Sequence, residues 1–154
     1  MIVAARRSSF AAVAAALLVS SPGRANEALS GVFSDVAMSA ETGDLGGLEI
    51  ELHAERPNPY ALVVSCEGWC GLYHRVPLRL NGTRFSFAFS EQLVDSSGKP
   101  AGVDLYRIEG RLVGRALAGN LELNSQGQSV RRRFRLQRRA RRFGLSVARP
   151  ASRE

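Results

Sequence analysis

The stretch Leu48-Glu49-Ile50-Glu51-Leu52-His53-Ala54-Glu55 alternates apolar and polar residues without a break. Successive side chains of a strand point to opposite faces. The pattern therefore predicts a strand with Leu48, Ile50, Leu52 and Ala54 against a core, and with the acids and His53 in water. The same period of two recurs at 32–38, 60–66, 72–80, 85–89, 106–112, 117–123 and 130–137. In the last run Val130, Phe134 and Leu136 share one face, and Arg131, Arg133, Arg135 and Gln137 share the other.

Turn chemistry separates these runs: Thr42-Gly43-Asp44-Leu45-Gly46-Gly47, Arg56-Pro57-Asn58-Pro59, Asn81-Gly82, Ser96-Ser97-Gly98-Lys99-Pro100 and Ser125-Gln126-Gly127. Asn81-Gly82 predicts a type I′ hairpin, because both residues tolerate positive φ. Pro77 cannot donate to a ladder and predicts an edge or a bulge. About eight short antiparallel strands with no amphipathic helix between them predict an all-β fold. The expected form is a single meander closed into a small barrel, with a β-sandwich as the alternative. An eight-stranded barrel is either filled by side chains or holds one small ligand.

The chain opens with Arg6 and Arg7, an apolar run from Phe10 to Val19, and small residues up to Ala25. These are the parts of a secretory leader over residues 1–25. The apolar run is well short of the roughly 20 residues that cross a bilayer, so the mature protein is expected to have no transmembrane segment. The spacing after the Arg-Arg pair favours the general secretory route over the twin-arginine one. The Ala- and Arg-rich composition points to a bacterium, with a periplasmic or secreted destination. The expected organisation is a leader at 1–25, one β domain at 26–137 and an Arg-rich, partly disordered tail at 138–154.

Charge is unevenly distributed. Residues 26–130 carry 8 basic and 13 acidic side chains, whereas residues 131–154 carry ten arginines and one acid. The basic character of the whole chain, +7, therefore belongs to its C-terminal part. Arg138, Arg139, Arg141 and Arg142, read as lying beyond the last strand, are the candidate anion-binding residues. Their expected partner is an anionic envelope surface or a small ligand. Nucleic acid is not expected, since only Phe134 and Phe143 interleave the arginines.

Both cysteines, the only tryptophan and one histidine fall in Ser65-Cys66-Glu67-Gly68-Trp69-Cys70-Gly71-Leu72-Tyr73-His74. An exported chain meets an oxidising environment, so Cys66 and Cys70 are expected to form a disulfide across a hairpin turn. A redox pair of the thioredoxin kind needs two intervening residues at a helix start, and three intervene here. Zinc on Cys66, Cys70, His53 and His74 matches no familiar ligand spacing. Trp69 is expected at the rim of the barrel.

No nucleophile elbow, phosphate-binding glycine loop or His-Glu-x-x-His run is present. The reading is an exported, non-enzymatic binding or envelope-associated module, for a small apolar or anionic ligand, with no cofactor and no metal. The alternative is an enzyme using the 66–74 hairpin (Cys66, Cys70, His74) or the polar face of 49–55 (Glu49, Glu51, His53, Glu55).

Ser30-Gly31-Val32-Phe33 at the first strand, with Arg133, Phe134 and Arg135 on the last, resembles the lipocalin and calycin plan. There a Gly-x-aromatic start packs near a basic residue of the final strand; Phe33 stands where that plan has Trp. The likeness implies a β-barrel whose terminal strands meet. The longer stretch FSDVAMSAETGDLGGLEIEL resembles small exported bacterial β proteins and implies the same compartment and fold without an activity.

Overall fold

The computed structural model describes residues 28–55 and 57–143; the expected leader and the end of the expected tail lie outside the described residues. Ten antiparallel strands form one sheet. They are β1 (Gly31–Ser34), β2 (Ala37–Met38), β3 (Leu45–His53), β4 (Tyr60–Cys70), β5 (His74–Pro77), β6 (Arg79–Asn81), β7 (Arg84–Val94), β8 (Pro100–Val113), β9 (Ala116–Ser125) and β10 (Gln128–Arg139). Their order in the sheet is β5-β4-β3-β1-β10-β9-β8-β7-β6, with β2 paired to β3 off this path. All-β meander topology is thus as the period of two predicts.

The barrel expected from that topology does not close. Its two edges, β5 and β6, are consecutive in the chain, yet β5 pairs β4 and β6 pairs β7. Pro77, the last residue of β5, has no N–H, and the Leu78 N–H turns away to the Pro59 carbonyl at 3.0 Å. The chain is therefore handed from one partner to the other without a β5–β6 ladder. Pro77 stands at an edge as expected, and its effect is to split the expected strand 72–80 in two.

Side chains fill the space inside the curled sheet. Leu48, Ile50, Leu52 and Ala54 are buried as predicted, with Phe33, Ala61, Val63, Val76, Phe85, Phe87, Ile108, Leu117, Leu121, Phe134 and Leu136. On the core side the Phe85 and Phe134 rings lie against Gly110 and Gly119, cross-strand partners in β8 and β9. A Cβ added to Gly119 would stand 2.7 Å from the Phe134 ring and 2.1 Å from the Glu109 carbonyl oxygen. Only a hydrogen at that position allows this approach.

Two turns exchange the expected geometries. In the β6–β7 hairpin Gly82 (φ 59°) is at positive φ and Thr83 is not, so the loop is Gly82-Thr83 in place of a type I′ Asn81-Gly82 turn. Positive φ at both central residues occurs instead at Gln126 (49°) and Gly127 (80°), between β9 and β10.

Strand β1 lies between β3 and β10, so the first and last strands are neighbours. Arg138 locks this junction. Its guanidinium carbon sits 4.5 Å from the centre of the Phe33 ring, and it donates to the Ser30 carbonyl at 2.7 Å and to the Ala28 carbonyl. The basic partner of the Gly-x-aromatic start is thus Arg138, and not Arg133 or Arg135. The last strand also runs two residues past its expected end, which places Arg138 and Arg139 within it. Charge-assisted hydrogen bonds and a ring contact at one side chain make Arg138 structural. Arg138→Gln should lower unfolding free energy by about 2 kcal/mol. Exposed Arg139→Gln should change it by less than about 0.5 kcal/mol. Urea titration of both variants checks this.

Candidate functional site

The cysteine segment folds as a staple. Cys66 and Cys70 are disulfide-bonded with Cα atoms 4.1 Å apart. Both belong to β4, which continues through the expected turn to Cys70, so the bridge draws in the end of one strand and does not link two. Cys66 packs with Val36, Leu45, Cys70 and Phe143 in a small second core on the outer side of the sheet. Trp69 projects into solvent, 76% exposed, and is no lid on the rim.

From the bridge the chain returns to Tyr73, whose hydroxyl donates to Glu49 Oε1. The Phe143 amide also donates to Glu49, at 2.9 Å to Oε2 and 3.2 Å to Oε1. Glu49 is therefore fully buried, against the expectation of a solvated face. The neighbouring Glu51 accepts from Arg142 at Oε2, and its Oε1 lies 2.9 Å from His53 Nε2. Arg142 also stands 5.2 Å from the centre of the Tyr73 ring. The end of the described chain is a strap across β3, and these acids hold it down.

The zinc set weighed above is not assembled. The two sulfurs are bonded to each other. His53 stacks on Tyr60 at 4.2 Å on the outer face, while His74, opposite the core residue Val63, stacks on Phe89 at 4.8 Å. Among the described residues no group of three His, Cys, Asp or Glu side chains converges. The 66–74 hairpin places His74 Nε2 4.0 Å from Glu91 Oε1, and the 49–55 face places His53 Nε2 2.9 Å from Glu51, whose other oxygen Arg142 holds.

Inside the sheet a cavity of about 40 Å³ is lined by Leu48, Val63, Ser65, His74, Tyr106 and Ile108, among others. It has room for a water, whose share of liquid volume is about 30 Å³, and none for a drug-sized molecule.

Of the four arginines assigned to anion binding, two are committed elsewhere: Arg138 to Phe33 and two carbonyls, Arg142 to Glu51. Arg139 and Arg141 are exposed. The larger concentration of positive charge was not evident along the chain, because β-sheet register assembles it. Arg84 on β7 is the direct partner of Arg111 on β8, and the same row continues through Ala118 on β9 to Arg135 on β10. This row holds three exposed arginines and no acid. The row Ala88–Arg107–Glu122–Arg131, four residues further along β8, alternates in sign at its charged positions. Like charges placed directly opposite one another destabilise a sheet, so the first row runs against the folding interest that the second serves.

That unbalanced row borders an open groove of about 680 Å³ on the outer side of β6 to β10. Arg79, Arg84, Arg111 and Arg133 line it with Asn81, Ser86 and Asn120, and its floor runs along Gly110, Ala118 and Gly119. Its one acid, Glu109, is tied to Arg131 at 3.2 Å. Among the described residues none of the four lining arginines makes an ion pair. A signal for this groove existed in the sequence: Arg111, Arg133 and Arg135 occupy outward positions of their runs, and Arg84 directly precedes the run at 85–89. Their alignment needs three ladders in register.

No protein-family model, curated protein or solved structure matches this sequence or fold. The β-rich fold stands on the structure itself, and the lipocalin likeness and the bacterial origin gain no support from relatives.

Two tyrosines couple this architecture to pH. Burial, then the hydrogen bond and charge of Glu49, push the Tyr73 hydroxyl well above its ordinary value. Burial, then the charges of Glu91 and Asp104, push Tyr106 up to about 12. From pH 10 upward the unfolded chain releases these protons while the folded protein keeps them, so stability falls as pH rises from 10 towards 12. Urea midpoints measured from pH 9 to 11 should show this decline. The decline should be shallower in Tyr73→Phe/Tyr106→Phe.

Proposed function

We propose that this is an exported, non-enzymatic binding module whose ligand is anionic and whose binding site is the arginine groove on β6 to β10. One observation carries the reading: Arg84 and Arg111 face each other across a ladder, beside a concavity, and neither makes an ion pair among the described residues. A surface kept at that electrostatic cost is accounted for by a bound anion, which converts the repulsion into attraction. Planar guanidinium forks bind phosphate and carboxylate oxygens in pairs. The filled interior favours an anionic ligand on the outer face over an apolar one within.

Export places such a module among envelope anions, of which lipopolysaccharide phosphates are the most concentrated in charge. The disulfide and the leader-like start support that compartment. Arg139 and Arg141 add to the same positive field from the far end of β10.

Co-sedimentation with lipopolysaccharide micelles across a salt series tests the reading. Binding should weaken steeply as salt rises and screening shortens to about 8 Å near 0.15 M. Arg84→Gln/Arg111→Gln/Arg133→Gln should lose at least tenfold in affinity, about 1.4 kcal/mol, and Arg139→Gln/Arg141→Gln should stay within about twofold of the wild type. The reverse order would move the site to the tail, and salt-independent binding would remove the electrostatic reading.

A further inference from the structure

We infer that the groove recognises a ligand with two anionic groups about 12 Å apart, joined by a neutral, hydrogen-bonding middle. The inference rests on the anion-binding reading of this groove and adds the spacing and chemical class of what it holds.

The spacing comes from the register. Arg84 and Arg111 are direct partners on adjacent strands, and Arg79 lines the groove from β6, so three guanidinium groups gather over β6, β7 and β8. Strand β9 contributes only Ala118, Gly119 and Asn120 to the groove. The next lining cation is Arg133, on β10. From Arg111 on β8 to Arg133 on β10 is two strand spacings of about 4.8 Å and two residues of about 3.4 Å along the strand, hence a backbone separation of about 12 Å between the two cationic ends. A single phosphate engages one end and leaves the other unpaired.

The middle has its own chemistry. Arg79, Ser86, Glu109, Asn120 and Arg133 are successive partners in one row, so Glu109 stands between Arg79 and Arg133, on the same strand as Arg111 and two residues from it. Its carboxylate, held by Arg131, repels negative charge there and disfavours a uniformly charged polyanion. Ser86 and Asn120 beside it donate and accept hydrogen bonds, which suits the hydroxyls of a sugar. Together these features select a bis-phosphorylated or bis-carboxylated carbohydrate, either free or as the headgroup of a lipid.

A molecular ruler tests the inference. α,ω-Alkane bisphosphonates of graded spacer length are titrated calorimetrically into the full chain, with methylphosphonate as the single-anion reference. Tethering the second contact raises its effective concentration. Affinity should therefore peak where the phosphorus atoms span about 12 Å and exceed that of methylphosphonate at least tenfold. Arg111→Gln and Arg133→Gln should each reduce the best bisphosphonate to the level of methylphosphonate, while Arg139→Gln leaves it unchanged.

A deacylated bis-phosphorylated disaccharide and its acylated form in vesicles distinguish the two sources. Equal affinity per headgroup identifies the sugar phosphates as the recognised part, and binding of the acylated form alone overturns the inference. A flat dependence on spacer length also overturns it. If micelle binding persists with that flat dependence, the anion-binding reading survives and only the spacing fails. If micelles and every phosphonate fail to bind, the reading fails with it.

Discussion

The pairing of β1 with both β3 and β10 is the constraint on which the rest of this fold depends. It joins the three-strand unit β3-β4-β5 to the five-strand meander β6-β7-β8-β9-β10, which share no other ladder. Phe33 in β1 is fully buried at this seam, and Arg138 covers its ring while satisfying two carbonyls at the approach to the strand. Once β10 is held there, the chain beyond it crosses β3, and Arg142 and Phe143 reach the carboxylates of Glu51 and Glu49. The far side needs no such seam, because the segment containing Pro77 and Leu78 links β5 to β6 covalently.

This arrangement divides the acids and arginines into two populations. Glu49 and Glu51 are consumed by structure: one is buried under a tyrosine hydroxyl and a backbone amide, the other bonded to Arg142. Arg107, Glu122 and Arg131 alternate across β8, β9 and β10 in the manner expected of a stable solvated face. Arg84, Arg111 and Arg135 are aligned with no such compensation. The contrast between two nearby rows of one sheet separates positive charge that supports the fold from positive charge that opposes it.

Local pattern made much of the fold legible. Leu48, Ile50, Leu52 and Ala54 were readable as core because alternation in a strand assigns faces directly, and Cys66 with Cys70 was readable as a bridge from the leader-like start and the cysteine number. Glu49 was misread as solvated because its cover comes from Tyr73 and from Phe143, 94 residues away, and alternation says nothing about a second layer outside a sheet. The barrel was expected to close because Pro77 registers in a sequence only as a missing donor, whereas its consequence is a change of partner. The arginine groove was the least legible element. Its residues are scattered from position 79 to 133, and only the ladders joining β6 to β10 place them side by side.

If the Arg84–Arg111 row is maintained against the interest of folding, relieving it must stabilise the protein. The most direct measurement is the unfolding free energy of Arg111→Gln beside that of the wild type, at low ionic strength and again at high salt. The variant should be the more stable by about 0.5 kcal/mol at low salt. The difference should vanish near 1 M salt, where screening shortens to about 3 Å. A variant less stable than the wild type at low salt would show that Arg111 supports the fold, and would contradict the account.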